Sequence, residues 1–302
     1  MNVLSPVTGT NNVSLIREFN SHRITQQYIR ETSVNVDKYF ENLSTVYLYQ
    51  CNDTGYRFYY PFHIFGDGQF YTDLEAKNKW YYHKERWEHL LAISFINQGQ
   101  NLLEIGSGDG WFLRLLRKNG IESITGIEFN PAALQKMKQD GLRVSADSIE
   151  HYAIYHPEEF DVVCCFQVLE HVVGVKSFID ASLKCLRKGG ILIIAVPNNN
   201  PYLFRYDDYH TLNLPPHHAG LWNIPAFKKL PSYYPMKLVN SFTEPLAEYK
   251  PWYQAQVKHY KETNPFKAFW YSLVPSFIYK PFLKNKKNKI EGRNIMVVFE
   301  KI

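Results

Sequence analysis

Apolar and polar positions along the chain follow two periods, which together predict buried strands with helices between them. Short unbroken apolar runs are typical of buried strands. They cover residues 101–105, 123–129, 142–145, 161–166, 191–196, 236–242 and 294–301. Apolar residues at helical spacing cover residues 75–97, 111–118, 132–139, 148–155, 178–186 and 223–230. This alternation predicts a doubly wound α/β sheet of about seven strands.

The N-terminal quarter of the chain does not share this alternation. Residues 1–45 are mostly polar, so we expect a loosely ordered arm or a short helix around 25–31. Residues 46–73 alternate aromatic positions around two glycine turns, which predicts a compact β-hairpin cap. The predicted division is therefore an arm and aromatic β cap over 1–73, followed by the main domain over 74–302.

Two insertions interrupt the main domain. Residues 197–222 follow a strand and are dense in aromatic residues and histidine. Residues 246–293 precede the last strand and are aromatic, basic and punctuated by proline. Connections of this length are often functional. We expect both insertions on the ligand face, at the carboxyl edge of the sheet.

Composition narrows the class of protein. The chain has 302 residues, of which 45% are apolar and 21% charged, as in globular proteins. A net charge of +5 is too small to indicate nucleic acid as a partner. The four cysteines form no C-x-x-C pair, so we expect a reducing compartment and neither disulfides nor a zinc site. With a polar N-terminus and no long apolar run, the protein is expected to be cytoplasmic.

The stretch from residue 101 to 131 carries the clearest chemical signal. Gly106, Gly108 and Gly110 connect a strand to a helix, so the backbone can approach a ligand closely there. Glu128 ends the following strand. A strand, a glycine turn, a helix and a strand with a terminal acid hold a nucleoside at the carboxyl ends of the strands.

The spacing of the third glycine indicates which class of nucleoside cofactor the turn binds. A dinucleotide-binding turn reads G-x-G-x-x-G, and its last glycine allows close packing of helix on strand. Trp111 stands at that position, and its indole opposes such packing. An oxidoreductase linked to NAD is therefore disfavoured.

With Glu104 included, the pattern E-x-G-x-G-x-G and the strand-end Glu128 resemble class I S-adenosylmethionine (SAM) methyltransferases. The segment VLEHV over 168–172 adds to the resemblance. It implies a Rossmann-like sheet whose last strand is antiparallel. It also implies SAM as cofactor and S-adenosylhomocysteine as product, with no metal expected.

The resemblance assigns roles to individual residues. Glu128 would accept both ribose hydroxyls, and Asp147 would accept a hydrogen bond from the adenine amino group or cap the next helix. Tyr82 and Arg86 would reach the SAM carboxylate, unless they are plain surface residues of their helix. The residues assigned to the cofactor are Glu104, Gly106, Ser107, Gly108, Gly110, Glu128, Phe129, Asp147, Ser148, Gln167, Tyr82 and Arg86.

Candidate catalytic residues are Gln167, His217 and His218. Gln167 follows a strand and would lie near the transferred methyl group. The LPPHH…W pattern resembles a loop of methyltransferases that act on sugars and other hydroxylated substrates, so either histidine could take a hydroxyl proton. Alternatively, both histidines pin the loop to the domain. A metal is disfavoured because adjacent histidines have poor geometry for one ion.

The sequence therefore predicts O-methylation of a sugar, a glycan or another hydroxylated small molecule. The alternatives are N- or C-methylation on the same fold, and a SAM-binding scaffold without catalysis. The second insertion is a substrate lid, or residues 265–289 make peripheral contact with the inner face of a membrane. Nucleic acid is not expected, and the sequence predicts no oligomeric state.

Overall fold

Strands and helices alternate through this computed structural model, which describes residues 3–78, 86–199, 209–247, 249–286 and 289–302. The strands are β1 (Val13–Asn20), β2 (Thr45–Cys51), β3 (Arg57–Tyr60), β4 (Leu102–Ile105), β5 (Ile124–Ile127), β6 (Arg143–Ser145), β7 (Phe160–Phe166), β8 (Leu186–Pro197), β9 (Gly220–Leu221), β10 (Met236–Pro245) and β11 (Glu291–Lys301). The helices are α1 (Ser21–Thr32), α2 (Gly68–Lys77), α3 (Trp87–Ile93), α4 (Trp111–Lys118), α5 (Pro131–Gln139), α6 (Ile149–Tyr155), α7 (Val175–Cys185), α8 (Ile224–Lys229), α9 (Tyr249–Thr263), α10 (Pro265–Ser272) and α11 (Ser276–Lys286).

A seven-stranded sheet forms the centre of the main domain. Its strand order is β10-β11-β8-β7-β4-β5-β6. The pairs among β8, β7, β4, β5 and β6 are parallel. The last strand, β11, is antiparallel to both of its neighbours. The predicted Rossmann-like fold with an antiparallel last strand is confirmed.

The central strand β7 shows how the sequence builds the two faces of the sheet. Every residue from Phe160 to Phe166 is buried, as the unbroken apolar run predicts for a parallel strand covered on both sides. Side chains alternate between the faces. Val163 and Cys165 join one apolar core, and Val162 and Cys164 join the other.

The N-terminal arm is ordered: the expectation of a loose arm over residues 1–45 is wrong, and the alternative of a short helix around 25–31 agrees with α1. The strand β1 pairs with β2, and α1 follows it, with the Asn20 side chain accepting a hydrogen bond from the Arg23 backbone N–H. Ile24 and Tyr28 of α1 are fully buried in a third apolar core. A few apolar positions on one helical face were enough to anchor a mostly polar segment.

The predicted hairpin of the cap is present and belongs to a larger sheet. β2 and β3 pair antiparallel, and the four-stranded sheet runs β1-β2-β3-β9. Its edge strand β9 belongs to the first insertion. Leu221 and Gly220 of β9 pair with Arg57 and Phe58 of β3. The insertion is thereby fastened to the cap.

The prediction of one helix over residues 75–97 is wrong. α2 ends at Lys77, where Asn78 leaves the helical region with φ −131° and ψ 86°. α3 begins at Trp87, after Arg86 in extended conformation. Continuous helical spacing of apolar residues did not reveal this interruption.

The second insertion contains α9, α10 and α11, placed between the paired strands β10 and β11. Among the described residues, no helix combines the length and the apolar character that crossing a bilayer requires.

Candidate active site

The glycine turn after β4 forms the floor of the candidate site. Gly106, Gly108 and Gly110 have φ angles of +72°, +52° and +82°, a region that favours glycine. A Cβ at Gly108 would meet no heavy atom within 4 Å, so the space beside this residue is open. At Gly110 a Cβ would lie 2.7 Å from Met137 Cγ. The turn is therefore packed on one side and open on the other, as a cofactor cradle requires.

Glu128 lies directly beside this open position. Its carboxylate accepts hydrogen bonds from the backbone N–H groups of Gly108 at 2.8 Å, Phe129 at 2.8 Å and Asn130 at 2.9 Å. These contacts fix the carboxylate at the end of β5 and use three of its roughly four acceptor sites. Oε2, which accepts one of the three hydrogen bonds, keeps an acceptor site for a ribose hydroxyl at this edge.

The predicted adenine end is formed by residues after β5 and β6. Asp147 accepts from Ser145 Oγ at 2.7 Å and pairs with His151 Nδ1 at 2.9 Å, and these contacts lower the pKa of its carboxyl. Ser148 is the N-cap of α6, because its Oγ accepts from the His151 N–H. The alternative role of Asp147 as that N-cap is therefore wrong. Phe129 is exposed beside Glu128.

Two predicted cofactor residues point into the protein. Ser107 is buried, and its hydroxyl lies 3.4 Å from the Ile127 carbonyl. Glu104 is buried with its Oε2 unpartnered among the described residues. Burial first, and then the charges of Glu128 and Asp109, raise the pKa of Glu104 well above its usual value. Its position beneath the turn therefore favours the protonated, neutral form of the acid.

Gln167 lies directly after β7, against the glycine turn. The next residue, Val168, packs on Gly106 so closely that a Cβ on this glycine would overlap the Val168 side chain. Gln167 itself has φ +57°, and its Nε2 donates to Glu88 Oε1 at 3.0 Å. Arg86 Nη1 lies 3.8 Å from the same Glu88 oxygen. Tyr82, the other residue predicted to reach the SAM carboxylate, falls outside the described residues.

His217 and His218 belong to a buried cluster with His171, which we call the histidine cluster. The ring centroids are 4.6 to 5.1 Å apart. Each Nδ1 faces an oxygen: His171 faces the His217 carbonyl at 2.6 Å, His217 faces the Leu212 carbonyl at 2.7 Å, and His218 faces Asn213 Oδ1 at 3.1 Å. These oxygens are acceptors, so each Nδ1 carries the ring proton.

Electrostatics keep the histidine cluster neutral. Both His217 and His218 are only 5% exposed, and burial, followed by the charges of neighbouring histidines, lowers their pKa values well below 6.5. Burial lowers the pKa of His171 to about 4. The adjacent Glu170 is also buried, which raises its pKa to about 8. At neutral pH the cluster is a set of uncharged groups.

The same three histidines form the one group among the described residues that could hold a metal ion. A ring nitrogen of each lies within 4.8 Å of the others. Neutral imidazole nitrogen is a common ligand of zinc and other transition metals. The expectation that the protein needs no metal stays a prediction.

Sequence reasoning missed three polar residues beside Gln167. Glu88, Glu244 and Asn294 are linked to it by hydrogen bonds or charge, although they are distant in sequence. For Glu88 the sequence did contain a signal that could have been used. Glu88 shares the buried face of α3 with Ala92, four residues later, so an acid stands where an apolar residue is expected.

Comparison with known proteins agrees with this geometry. Residues 80–237 match the family described as the methyltransferase domain. The chain belongs to this family, and the predicted class, a SAM-dependent methyltransferase with SAM as cofactor, is confirmed. Membership of this family does not show whether the chain belongs to the predicted small-molecule or sugar branch.

Individual relatives resemble parts of the chain. A stretch of 116 residues is 34% identical to a ubiquinone biosynthesis O-methyltransferase of Psychrobacter arcticus, covering 35% of this chain and 45% of that protein. A protein of the same name from Klebsiella pneumoniae is 29% identical over 108 residues, covering 34% and 44%. The chain thus spans less than half the length of these relatives.

A solved structure supports the fold. A SAM-dependent methyltransferase from Archaeoglobus fulgidus superposes with a TM-score of 0.51 and 16% identity, covering 78% of this chain and all of that one. At this identity the likeness concerns the fold alone.

Proposed function

We propose that the protein transfers the methyl group of SAM to an oxygen atom of a small hydroxylated molecule. When bound, SAM supplies a methyl group on a cationic sulfur. The chain's own residues hold the cofactor, orient the acceptor and keep water away from the reacting atoms.

One observation carries the cofactor half of this proposal. The Glu128 carboxylate is fixed 2.8 Å from the Gly108 N–H, beside the open space above that glycine. A carboxylate held in this way is ready to accept hydrogen bonds from a ribose. Such charge-assisted bonds contribute about 1.5–3 kcal/mol.

Calorimetric titration tests the cofactor site. We expect micromolar binding of SAM and no response to NADH, and Glu128→Ala should weaken SAM binding by about tenfold or more. The control is Glu122→Ala, which removes an exposed acid outside the site. Binding of NADH without SAM would contradict the proposal.

Oxygen as the methyl acceptor is supported by the relatives, which are named O-methyltransferases. A sugar or glycan is one acceptor class within this proposal. N-methylation, C-methylation and a non-catalytic scaffold are the alternatives. Carbon-13 NMR of the product formed from methyl-labelled SAM distinguishes the three kinds of methyl group. Tight SAM binding without transfer to any extract would favour the scaffold.

His217 or His218 as the base is a further proposal, and their burial weakens it. A base must hold the proton it takes, and a pKa far below 6.5 means low proton affinity. The alternative, that the histidines fix the loop, agrees with their Nδ1 contacts to nearby oxygens. Replacement of each by Asn separates the roles: loss of turnover with unchanged folding stability supports the base.

We also propose that residues 265–289 make peripheral contact with a membrane. The helices α10 and α11, with the residue that follows α10, expose large apolar side chains to solvent. They are Phe266, Phe269, Trp270, Leu273, Phe277, Ile278 and Phe282. Phe266 and Phe277 are each 73% exposed. We call this the aromatic surface, and exposed apolar surfaces of this kind mark interaction sites.

The charge around the aromatic surface favours anionic lipid as the partner. Between Glu262 and Glu291 the sequence has no acidic residue. Its lysines in this interval are Lys267, Lys280, Lys284, Lys286, Lys287 and Lys289. Each lysine near an anionic bilayer contributes about 1 kcal/mol to binding. Aromatic side chains with adjacent lysines suit the boundary between headgroups and acyl chains.

Sedimentation with lipid vesicles tests this contact. We expect binding to vesicles that contain phosphatidylglycerol, weaker binding to pure phosphatidylcholine, and release by salt. Lys284→Ala should weaken binding about fivefold, and Phe277→Ala should weaken it further. Tyr155→Ala, at an exposed aromatic residue on α6, is the control. Equal binding to both vesicles, or none, would overturn the proposal and favour a substrate lid.

A further inference from the structure

Four polar side chains, of which one is fully buried and three are half-buried, lie between the glycine turn and the second insertion. They are Glu88 of α3, Gln167 after β7, Glu244 of β10 and Asn294 of β11, and we call them the carboxylate–amide cluster. Asn294 pairs with Pro197, the last residue of β8. The cluster therefore lies at the carboxyl edge of the sheet, where α/β proteins bind their ligands.

Hydrogen bonds link the cluster into a chain. Gln167 Nε2 lies 3.0 Å from Glu88 Oε1 and 3.4 Å from Asn294 Oδ1. Asn294 in turn donates its backbone N–H and its Nδ2 to Glu244 Oε2, at 3.2 and 3.0 Å. Four elements distant in sequence thus converge on two carboxylates.

The carboxylate–amide cluster lies next to the glycine turn. Gln167 is followed by Val168, which packs so closely on Gly106 that a Cβ there would overlap it. His89, next to Glu88, stacks on Trp111 at 5.2 Å, at the start of the helix that follows the turn. The chain neighbours of Glu88 and Gln167 therefore pack on the helix that follows the turn and on the turn itself.

Glu88 has one oxygen without a partner. The residue is 0% exposed, and its Oε2 makes no hydrogen bond among the described residues. Its Oε1 is already used by Gln167, and the neighbouring Arg86 is 3.8 Å from that same oxygen. A buried carboxylate oxygen left in this way is unfavourable unless a ligand completes it.

The surroundings of the two carboxylates disfavour a negative charge on them. Burial raises the pKa of Glu88, and burial, followed by the charge of Glu88, raises the pKa of Glu244. A cation brought next to these carboxylates would favour their ionised forms. Arg86 supplies one positive charge at Oε1, so a second cation would bind at Oε2.

We propose that Glu88 recognises the positive charge of the SAM sulfonium and so makes the site bind SAM more tightly than S-adenosylhomocysteine. This inference rests on the proposed SAM-dependent function. Methyl transfer turns the sulfonium into a neutral thioether, so the product loses this attraction and the cofactor does not. The carboxylate would then promote exchange of product for fresh cofactor after each turnover.

Calorimetry with three ligands tests the role of Glu88. SAM and its analogue sinefungin are both cationic next to the reacting position, whereas S-adenosylhomocysteine is neutral there. We expect Glu88→Gln to weaken SAM and sinefungin by about tenfold, since one charge pair is lost. The affinity for S-adenosylhomocysteine should stay unchanged, which also shows that the variant folds. Glu122→Gln, at an exposed acid, should leave all three affinities unchanged.

The outcomes are distinguishable. Equal weakening of all three ligands by Glu88→Gln would assign Glu88 a structural role and overturn the inference, as would no weakening at all. Wild-type protein that binds none of the three would overturn the proposed function itself. The inference is supported only when the two cationic ligands lose affinity and the neutral one does not.

Discussion

The three glycines of the turn have similar backbone conformations but different surroundings, and this difference predicts different effects of substitution. Gly108→Ala places a methyl group into open space, whereas Gly110→Ala places one 2.7 Å from Met137 Cγ. Both carry left-handed strain of about 1–2 kcal/mol. Only Gly110→Ala adds overpacking, of about 1–3 kcal/mol.

We therefore expect Gly110→Ala to lower the free energy of unfolding more than Gly108→Ala does. Gly108→Ala should instead weaken SAM binding by about tenfold or more, because its methyl group occupies the cradle. Denaturant unfolding and calorimetry on the two variants check this. Unchanged SAM affinity in Gly108→Ala would show that the cofactor does not lie against this residue.

The buried Glu170 predicts a pH effect on stability. Its pKa is about 8 in the folded protein and about 4.3 in an unfolded chain. Between these values the unfolded chain has lost the proton and the folded chain keeps it, so stability falls as pH rises. The loss is up to about 1.4 kcal/mol per pH unit.

Glu170→Gln removes this titration. Relative to wild type, the variant should therefore gain free energy of unfolding between pH 5 and pH 8. Denaturant unfolding at pH 5, 6.5 and 8 measures the difference, with the exposed Glu122→Gln as control. A difference that does not change with pH would mean that Glu170 is ionised in the folded protein.

At the scale of elements, the first insertion depends on the cap through β9. A Cβ at Gly220 would overlap the ring of Tyr56, which is buried and lies 4.2 Å from the ring of Trp222. Gly220→Ala should therefore lower the free energy of unfolding by about 1–3 kcal/mol. Gly68→Ala is the matched control, because no heavy atom lies within 4 Å and alanine suits the start of α2. Denaturant unfolding compares the two, and equal losses would contradict the packing at β9.

The sequence predicted the elements whose pattern is local. The run at 161–166 and the turn at Gly106 to Gly110 each contain their own signal, and the structure has both. Pairing across long distances has no such signal. The strand β9 is two residues long, and nothing in Gly220 and Leu221 indicates that they join a sheet formed before residue 61.

The candidate site divides in the same way. Glu128 was predictable because its position follows from a strand end beside a glycine turn. Only part of the histidine cluster was predictable from the sequence. His217 and His218 were identified as candidate catalytic residues, but their packing against His171 depends on how the insertion folds back. Glu88 was missed because its importance comes from Gln167 and Glu244, which only the fold brings near.

At the scale of the whole molecule, binding of the cofactor should stabilise the folded protein. A ligand at 100 times its Kd adds about 2.7 kcal/mol to the free energy of unfolding. For a chain of 302 residues that corresponds to a rise in Tm of about 4 °C. We expect this shift with SAM in a thermal unfolding assay, and none with NADH. Glu128→Ala should need about tenfold more SAM for the same shift.

The pairing of β10 with β11 has a consequence for how this protein can vary. Pro245 and Glu291, at the two ends of the second insertion, face each other across these strands. The backbone there is so close that a Cβ on Gly292 would overlap the Glu244 carbonyl oxygen. A tight turn could therefore replace the three helices without moving the sheet. We therefore expect that this segment can be shortened or exchanged while the glycine turn keeps its conformation.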